Sequence, residues 1–317
     1  MKKIFLFLLI VIFVAAGYLS TYGWKSTKSS VLIYSSKTKK IAASLKKHIS
    51  VLSQEIGWRN ADEYGNLQKA GEYIYNEFLM SGFEVEKQEF KAKDKVFYNI
   101  IAKKKGSRDT KDIFVVGAHY DTYFSPGADA NASGAAVLLE LAKSLSLEQL
   151  PFGLQLVAFT NKEPPFWNTG FMGSAQYLNA LDDNKQGIVG AVILDSVGYY
   201  DNKAYSQRYP PFFGIFNPDK GNFLAVVGNR FSAAMQKDIF SRLQKKLSFS
   251  VIGFLFFDFI NSVHWAFWER DYPAVLLTDT GPYRSRRHAG LKDVPERLNY
   301  LKMAQIVEGL VSVILDR

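Results

Sequence analysis

The segment VVGAHYDTYFSPGADANASGAAVLLEL, Val115 to Leu141, decides the fold. With Ile113 and Phe114 ahead of it, Val115-Val116 completes an apolar run of the kind that forms a buried strand. At the other end, Ala135-Ala136-Val137-Leu138-Leu139-Glu140-Leu141 joins good helix formers to an apolar surface nearly all round, the pattern of a buried helix. His119-Tyr120-Asp121 stands at the strand's end, followed by a Pro126-Gly127 turn and by Asp129, Asn131 and Ser133, placed to cap the helix. A His and an Asp at the carboxyl end of a buried strand stand where an open α/β sheet carries its chemistry.

The same pattern recurs on either side. Leu154 to Phe159 reads as a buried strand delivering Asn161-Lys162-Glu163-Pro164-Pro165; Ile188 to Leu194 delivers Asp195; Ala274 to Leu277 delivers Thr278-Asp279-Thr280. Phe83 to Val85 and Val96 to Ala102 read as alternating strands. Helical spacing runs from Ile41 to Met80 (Leu67, Ala70, Ile74, Phe78), over Ser232 to Leu247, and through a closing helix with Tyr300, Met303, Val307, Leu310, Val311 and Ile314 on one face. Alternating strands and helices without an internal repeat predict one α/β domain, a largely parallel sheet with helices on both faces, over residues 41–317.

Ahead of it, the Ser/Thr/Lys-rich residues 25–40 read as a linker, and residues 1–24 as a signal peptide or an uncleaved anchor. Lys2-Lys3 precede an apolar stretch from Ile4 to Leu19, and extension through Tyr22 and Trp24 reaches the length of a span with an interfacial aromatic belt. The expectation is a single membrane span within residues 4–24 and a domain outside the cytoplasm; cleavage would instead release it as a secreted or periplasmic protein.

The 317 residues contain no cysteine, which excludes disulfides, thiolate metal sites and cysteine nucleophiles. The net charge of +9 is scattered in pairs and triplets such as Lys46-Lys47 and Lys103-Lys104-Lys105, with no alternation of base and aromatic, so no nucleic-acid partner is expected. Arg284, Arg286 and Arg287, a cationic cluster whose charges suit a carboxylate or phosphate, read rather as a solvated loop, and His48 as part of an amphipathic helix face. Ser133 and Ser196 have no His at useful spacing, so a serine hydrolase is not supported.

Strand ends thus present His119 with Asp121, Glu163, and Asp195. Taken singly, each reads as an ordinary loop or cap residue; together, an imidazole and carboxylates at one sheet edge are how a Zn²⁺ site with nitrogen and oxygen ligands is built. Here GAHYDT followed by PGADANASG, then FTNKEPP, ILDSVGY and FWERDYPAVLLTDTGPYR, resembles metallopeptidase family 28, the co-catalytic zinc aminopeptidases, from about Leu45 to the end. The resemblance implies a three-layer α/β/α sandwich around a mixed sheet. It implies two zinc ions sharing one bridging carboxylate, with a Glu as general base to the water between them. It makes His119 a metal ligand, Asp121 the residue that orients it, and Glu163 and Asp195 terminal carboxylate ligands of the two metals. His264 and Tyr283 fall in the substrate pocket, although a His packed beside Trp265 and Trp268 is an equal reading of His264.

Three positions depart from the family's pattern. The bridging Asp is Ala130, the general base is Lys162, and the last His ligand falls on Ala289, with His288 one residue early. A lysine among carboxylates keeps its proton and has no lone pair to act as base. The expectation is therefore a non-catalytic pseudopeptidase whose cleft holds peptide termini or a partner protein, with zinc lost or reduced to one ion. Lys162 would stand where metal charge stood, pairing carboxylates otherwise buried alone. The alternative is a metallo-exopeptidase releasing N-terminal residues with one zinc on His119, Asp195 and either Asp129 or His288.

Overall fold

The computed structural model describes residues 11, 25–26, 34–108, 111–183, 187–210, 213–215, 217–255 and 262–317. Among the described residues, nine strands form one mixed sheet: β1 (Lys25–Ser26), β2 (Glu84–Ala92), β3 (Lys95–Lys104), β4 (Asp112–His119), β5 (Gly153–Phe159), β6 (Gly187–Leu194), β7 (Phe223–Gly228), β8 (Ser250–Leu255) and β9 (Ala274–Thr278). Their spatial order is β1-β8-β7-β9-β6-β4-β5-β3-β2. The middle of the sheet, β5-β4-β6-β9, is parallel; β2 with β3, β3 with β5, β7 with β9 and β1 with β8 are antiparallel.

Alternation along β4 divides the core. Phe114, Val116 and Ala118 face a layer built from α1 (Ser36–Ser50), α2 (Tyr64–Met80), α3 (Gly134–Leu145), α5 (Ala233–Lys246) and α7 (Tyr300–Leu315). Ile113 and Val115 face the other side, covered by α4 (Gly173–Asp183) and the short α6 (His264–Trp268). Strands buried on both faces read as the near-continuous apolar runs seen in the sequence. The α/β/α sandwich is as expected.

Several details differ. The helical pattern from Ile41 to Met80 is two helices, separated after Ile56 where Gly57 takes a left-handed φ of 79°. Helix α1 begins at Ser36, inside the stretch read as linker, with Ser35 Oγ accepting the Thr38 N–H at 3.0 Å. Residues 25–26 pair with β8 at the sheet's edge. The antiparallel outer strands make the sheet less parallel than alternation suggested, and β7, β8 and α4 add to the elements read from the sequence.

The expected membrane span is corrected. Among the described residues no helix is long and apolar enough to cross a membrane, so a single span over residues 4–24, and the placement outside the cytoplasm that rested on it, are not supported. Apart from Val11, residues 1–24 lie outside the described residues.

Candidate functional site

Strands β4, β5 and β6 are neighbours, so their carboxyl ends bring His119, Lys162-Glu163 and Asp195 together at the centre of one sheet edge. The connections leave these ends abruptly. Asn161, Ser196 and Thr280, each two residues beyond β5, β6 and β9, all have positive φ (57°, 55° and 80°), an unfavourable conformation that the surrounding hydrogen bonds must hold.

Asp121 has two tasks. Its Oδ1 lies 3.3 Å from His119 Nδ1, and its Oδ2 accepts the Glu163 N–H at 2.8 Å, tying the β4 end to the β5 loop. His119 Nδ1 is also 3.1 Å from the Asp121 carbonyl, so its Nε2 turns into the site, 3.6 Å from Asp195 Oδ2 and without a hydrogen bond. Ser262 Oγ donates to the same Asp195 oxygen. Lys162 Nζ donates to Glu163 Oε1 at 2.8 Å and lies 3.8 Å from Asp195 Oδ2.

The charges respond to one another. Burial works against the Lys162 ammonium, but Asp195 and Glu163 outweigh it and raise its pKa above that of an ordinary lysine. Burial would raise Asp195, yet Lys162 and His119 hold its carboxyl well below the usual range. Burial and the Lys162 charge push the His119 imidazole down while Asp195 and Asp121 pull it up, and its pKa ends raised to about 9. Asp121, Glu163 and Asp195 against Lys162 and a protonated His119 leave one negative charge.

The other expected residues distribute unevenly. His288 comes within electrostatic reach of Asp195, Lys162 and His119; burial, the largest influence, lowers it to about 4, and its Nδ1 has no hydrogen bond. Ala289 follows in a left-handed turn with φ 49°. Asp129 turns elsewhere: its Oδ1 accepts the Gly198 N–H at 2.9 Å, and its neighbours are Asp279 and Asp293. It is not a helix cap, whereas Asn131 Oδ1 does accept the Gly134 N–H. His264 is fully buried, edge-on to Trp268 with ring centroids 4.5 Å apart. Tyr283 lies in a 3-10 turn, its carbonyl accepting the Arg208 N–H at 2.8 Å. Arg284 is corrected from a solvated residue to a buried one, with Nε donating to Gln207 Oε1 and its guanidinium 4.6 Å from the Phe223 ring.

The sequence reading missed the residues that hold the loops. Arg59 is fully buried and donates to the carbonyls of Tyr120 (2.7 Å), Pro126 (2.7 Å), Leu52 (2.9 Å), Gly57 (3.0 Å) and Gly127 (3.0 Å), so one guanidinium shapes the chain after β4. Asn131 Nδ2 donates to the carbonyls of His119 and Leu194, stitching β4 to β6. Asp293 accepts the N–H groups of Asp129 and Ala130, and Asp279 those of Tyr199 and Gly281. An isolated Arg or Asp in a polar stretch carries no periodic signal, and only its distance from other loops in sequence hides its role.

Among the described residues no three His, Asp or Glu side chains are grouped to hold a metal ion. The Lys162 ammonium lies within 4 Å of a carboxylate oxygen of both Glu163 and Asp195.

The sequence profile of Peptidase family M28 matches residues 99–309. Protein YfbL of Escherichia coli strain K12, itself described as uncharacterised, is 33% identical over 331 aligned residues spanning 100% of this chain and 99% of that one. A probable zinc metalloprotease of Pyrenophora tritici-repentis is 24% identical over 219 residues, 61% of this chain but only 44% of that protein. Among solved structures, BSAP, a zinc aminopeptidase from Bacillus subtilis, superposes with a TM-score of 0.72 at 16% identity over 87% of this chain and 95% of that one, a likeness of fold. Zinc is accordingly the metal expected of the family's metalloproteases and aminopeptidases. With its sheet order, its strand-end site and a profile match across two thirds of its length, the chain belongs to peptidase family M28, the zinc-aminopeptidase-like family.

Proposed function

We propose that this chain is a non-catalytic member of its family, a pseudopeptidase whose cleft retains a chain terminus or a partner protein without cleaving it. The observation that carries the reading is the Lys162 ammonium, 2.8 Å from Glu163 and 3.8 Å from Asp195. Lys162 occupies the position that resemblance gives to the general base, and an ammonium whose pKa is raised accepts no proton from water. Ala130 supplies no oxygen to bridge two metals, so no hydrolytic step is routed through a metal pair. What the residues offer is a fixed set of charges: acceptors on Glu163 and Asp195 for a terminal amine, and a donor on Lys162 for a carbonyl or carboxylate.

The test is zinc content by elemental analysis of purified protein prepared without chelator, alongside turnover of aminoacyl nitroanilides. Substoichiometric zinc, no turnover and retained binding of a fluorescent peptide are expected. Two zinc ions per chain with turnover refute the reading. A second reading, a mononuclear exopeptidase, draws on His288, which is buried within electrostatic reach of Asp195 and His119. One zinc per chain and chelator-sensitive turnover would favour it.

A further inference from the structure

Beyond β9, the sheet edge that carries the cleft also carries two cations without a close counter-ion. Strand β7 runs antiparallel to β9, so its first residue, Phe223, stands beside the segment that leaves β9 with Arg284. Arg284 is 4% exposed. Its Nε donates to Gln207 Oε1 at 3.1 Å and its Nη1 to the Tyr199 carbonyl at 3.2 Å, while the equally buried Nη2 has no hydrogen-bond partner. The guanidinium lies 4.6 Å from the centre of the Phe223 ring and 5.4 Å from that of Tyr200. Lys302, in the first turn of α7, places its Nζ 4.3 Å from the same Tyr200 ring and 4.8 Å from Phe249, and donates to the Asn222 carbonyl at 3.2 Å.

Asp279 and Asp129 attract Arg284 from a distance, but no carboxylate oxygen among the described residues lies within 4 Å of either cation. The Asp279 oxygens already accept the Tyr199 and Gly281 N–H groups. Burial and the Arg284 charge push the Lys302 ammonium down to about 8, as befits a cation with no anion beside it. A buried charge is normally paired, because losing water around it is costly. Ring faces recover only part of that cost.

We propose that Arg284 and Lys302 together hold a small oxyanion, a phosphate or a carboxylate, beside the Tyr200 ring, with one oxygen on Arg284 Nη2 and another on the Lys302 ammonium. An oxyanion brings several acceptors and charge at once, and charge-assisted hydrogen bonds of this kind are the strong ones. Lys302, Asn222 and Tyr200 are half-buried, which leaves the anion a way in from solvent. The site is separate from the cleft's carboxylates and stands whether or not the cleft cleaves peptides.

The full chain is titrated at pH 7 with sodium phosphate and, separately, with sodium acetate, chloride holding the ionic strength constant, and the melting temperature is read. A saturable rise is expected. A rise with phosphate alone makes the site a phosphate site, a rise with acetate alone a carboxylate site, and a rise with both a general oxyanion site. Lys302→Met keeps the apolar stem against Tyr200 and Phe249 and, judged against its own melting temperature in chloride, should bind at least about tenfold more weakly. Arg284→Lys, which keeps the charge but not the guanidinium fork, should also bind more weakly. Lys245→Met, at an exposed lysine of α5, should leave the affinity unchanged. No saturation with either anion, parental affinity in Lys302→Met, or an equal loss in Lys245→Met would each overturn the assignment.

Discussion

Replacing Lys162 separates the counter-ion reading from an incidental surface contact. The Lys162 side chain is 15% exposed, Glu163 14% and Asp195 3%. Removing one partner of a buried ion pair costs about 3–5 kcal/mol, because the other charge remains buried and unpaired. Water reaches Glu163, which reduces this to about 2–4 kcal/mol for Lys162→Met, a change that keeps the apolar stem. For 317 residues the unfolding entropy is about 0.7 kcal/mol per kelvin, so the melting temperature should fall by about 3–6 °C. Calorimetry at pH 7 with and without chelator measures it. The double variant Lys162→Met with Glu163→Gln should lose less than the sum of its single changes, since each removes a charge the other needed. A shift below about 1 °C for Lys162→Met, or strict additivity, would refute the idea that this ammonium holds the site's carboxylates.

Arg59→Ala should cost at least about 4 kcal/mol and Arg59→Lys nearly as much, because a lysine cannot serve the five carbonyls that the guanidinium fork reaches; chemical denaturation of both variants tests this. Stability should fall as pH rises from about 6.5 to 9. His119, raised to about 9, contributes fully below its unfolded value of about 6.5 and loses that contribution as pH passes 9, up to about 3 kcal/mol in all. Buried Asp129, Asp279 and Asp293, whose pKa values are raised by desolvation and, for Asp129, by the other two carboxylates, contribute most below 3.8 and lose it as pH rises through their folded values. His119→Gln should flatten the melting temperature between pH 6.5 and 9, and an unchanged slope would count against the imidazolium. Gly134→Ala should destabilise by about 1–3 kcal/mol, since the new Cβ would lie 2.8 Å from the Leu194 carbonyl oxygen. Ala130→Asp, Lys162→Glu and Ala289→His combined should raise bound zinc well above the parent by elemental analysis; no gain would show that the loops no longer fit a metal.

The strands that build the site were legible because each is an apolar run ending in a polar residue, and β4, β5, β6 and β9 all carried that mark. Their convergence was legible too, since parallel strands deliver their carboxyl ends to one edge. What the pattern could not give was direction. Asp129 and Asn131 stand two residues apart in one polar stretch, yet one turns to Asp279 and Asp293 and the other stitches β4 to β6. Polar side chains are placed by partners distant in sequence, and period-based reading sees only neighbours. Arg284 shows the same limit: flanked by Ser285, Arg286 and Arg287 it looked solvated, but Gln207 and Phe223 enclose it.

The carboxyls of Asp129, Asp279 and Asp293 join the segments that follow β4, β6 and β9, each accepting backbone N–H groups from a segment other than its own or from the turn it closes. Knotted in this way, these segments cannot open one at a time. A ligand would meet a cleft already in its bound shape, so little ordering entropy would oppose docking. Variants that alter contacts in such a cleft should differ mainly in how long the ligand stays, with arrival rates close to one another.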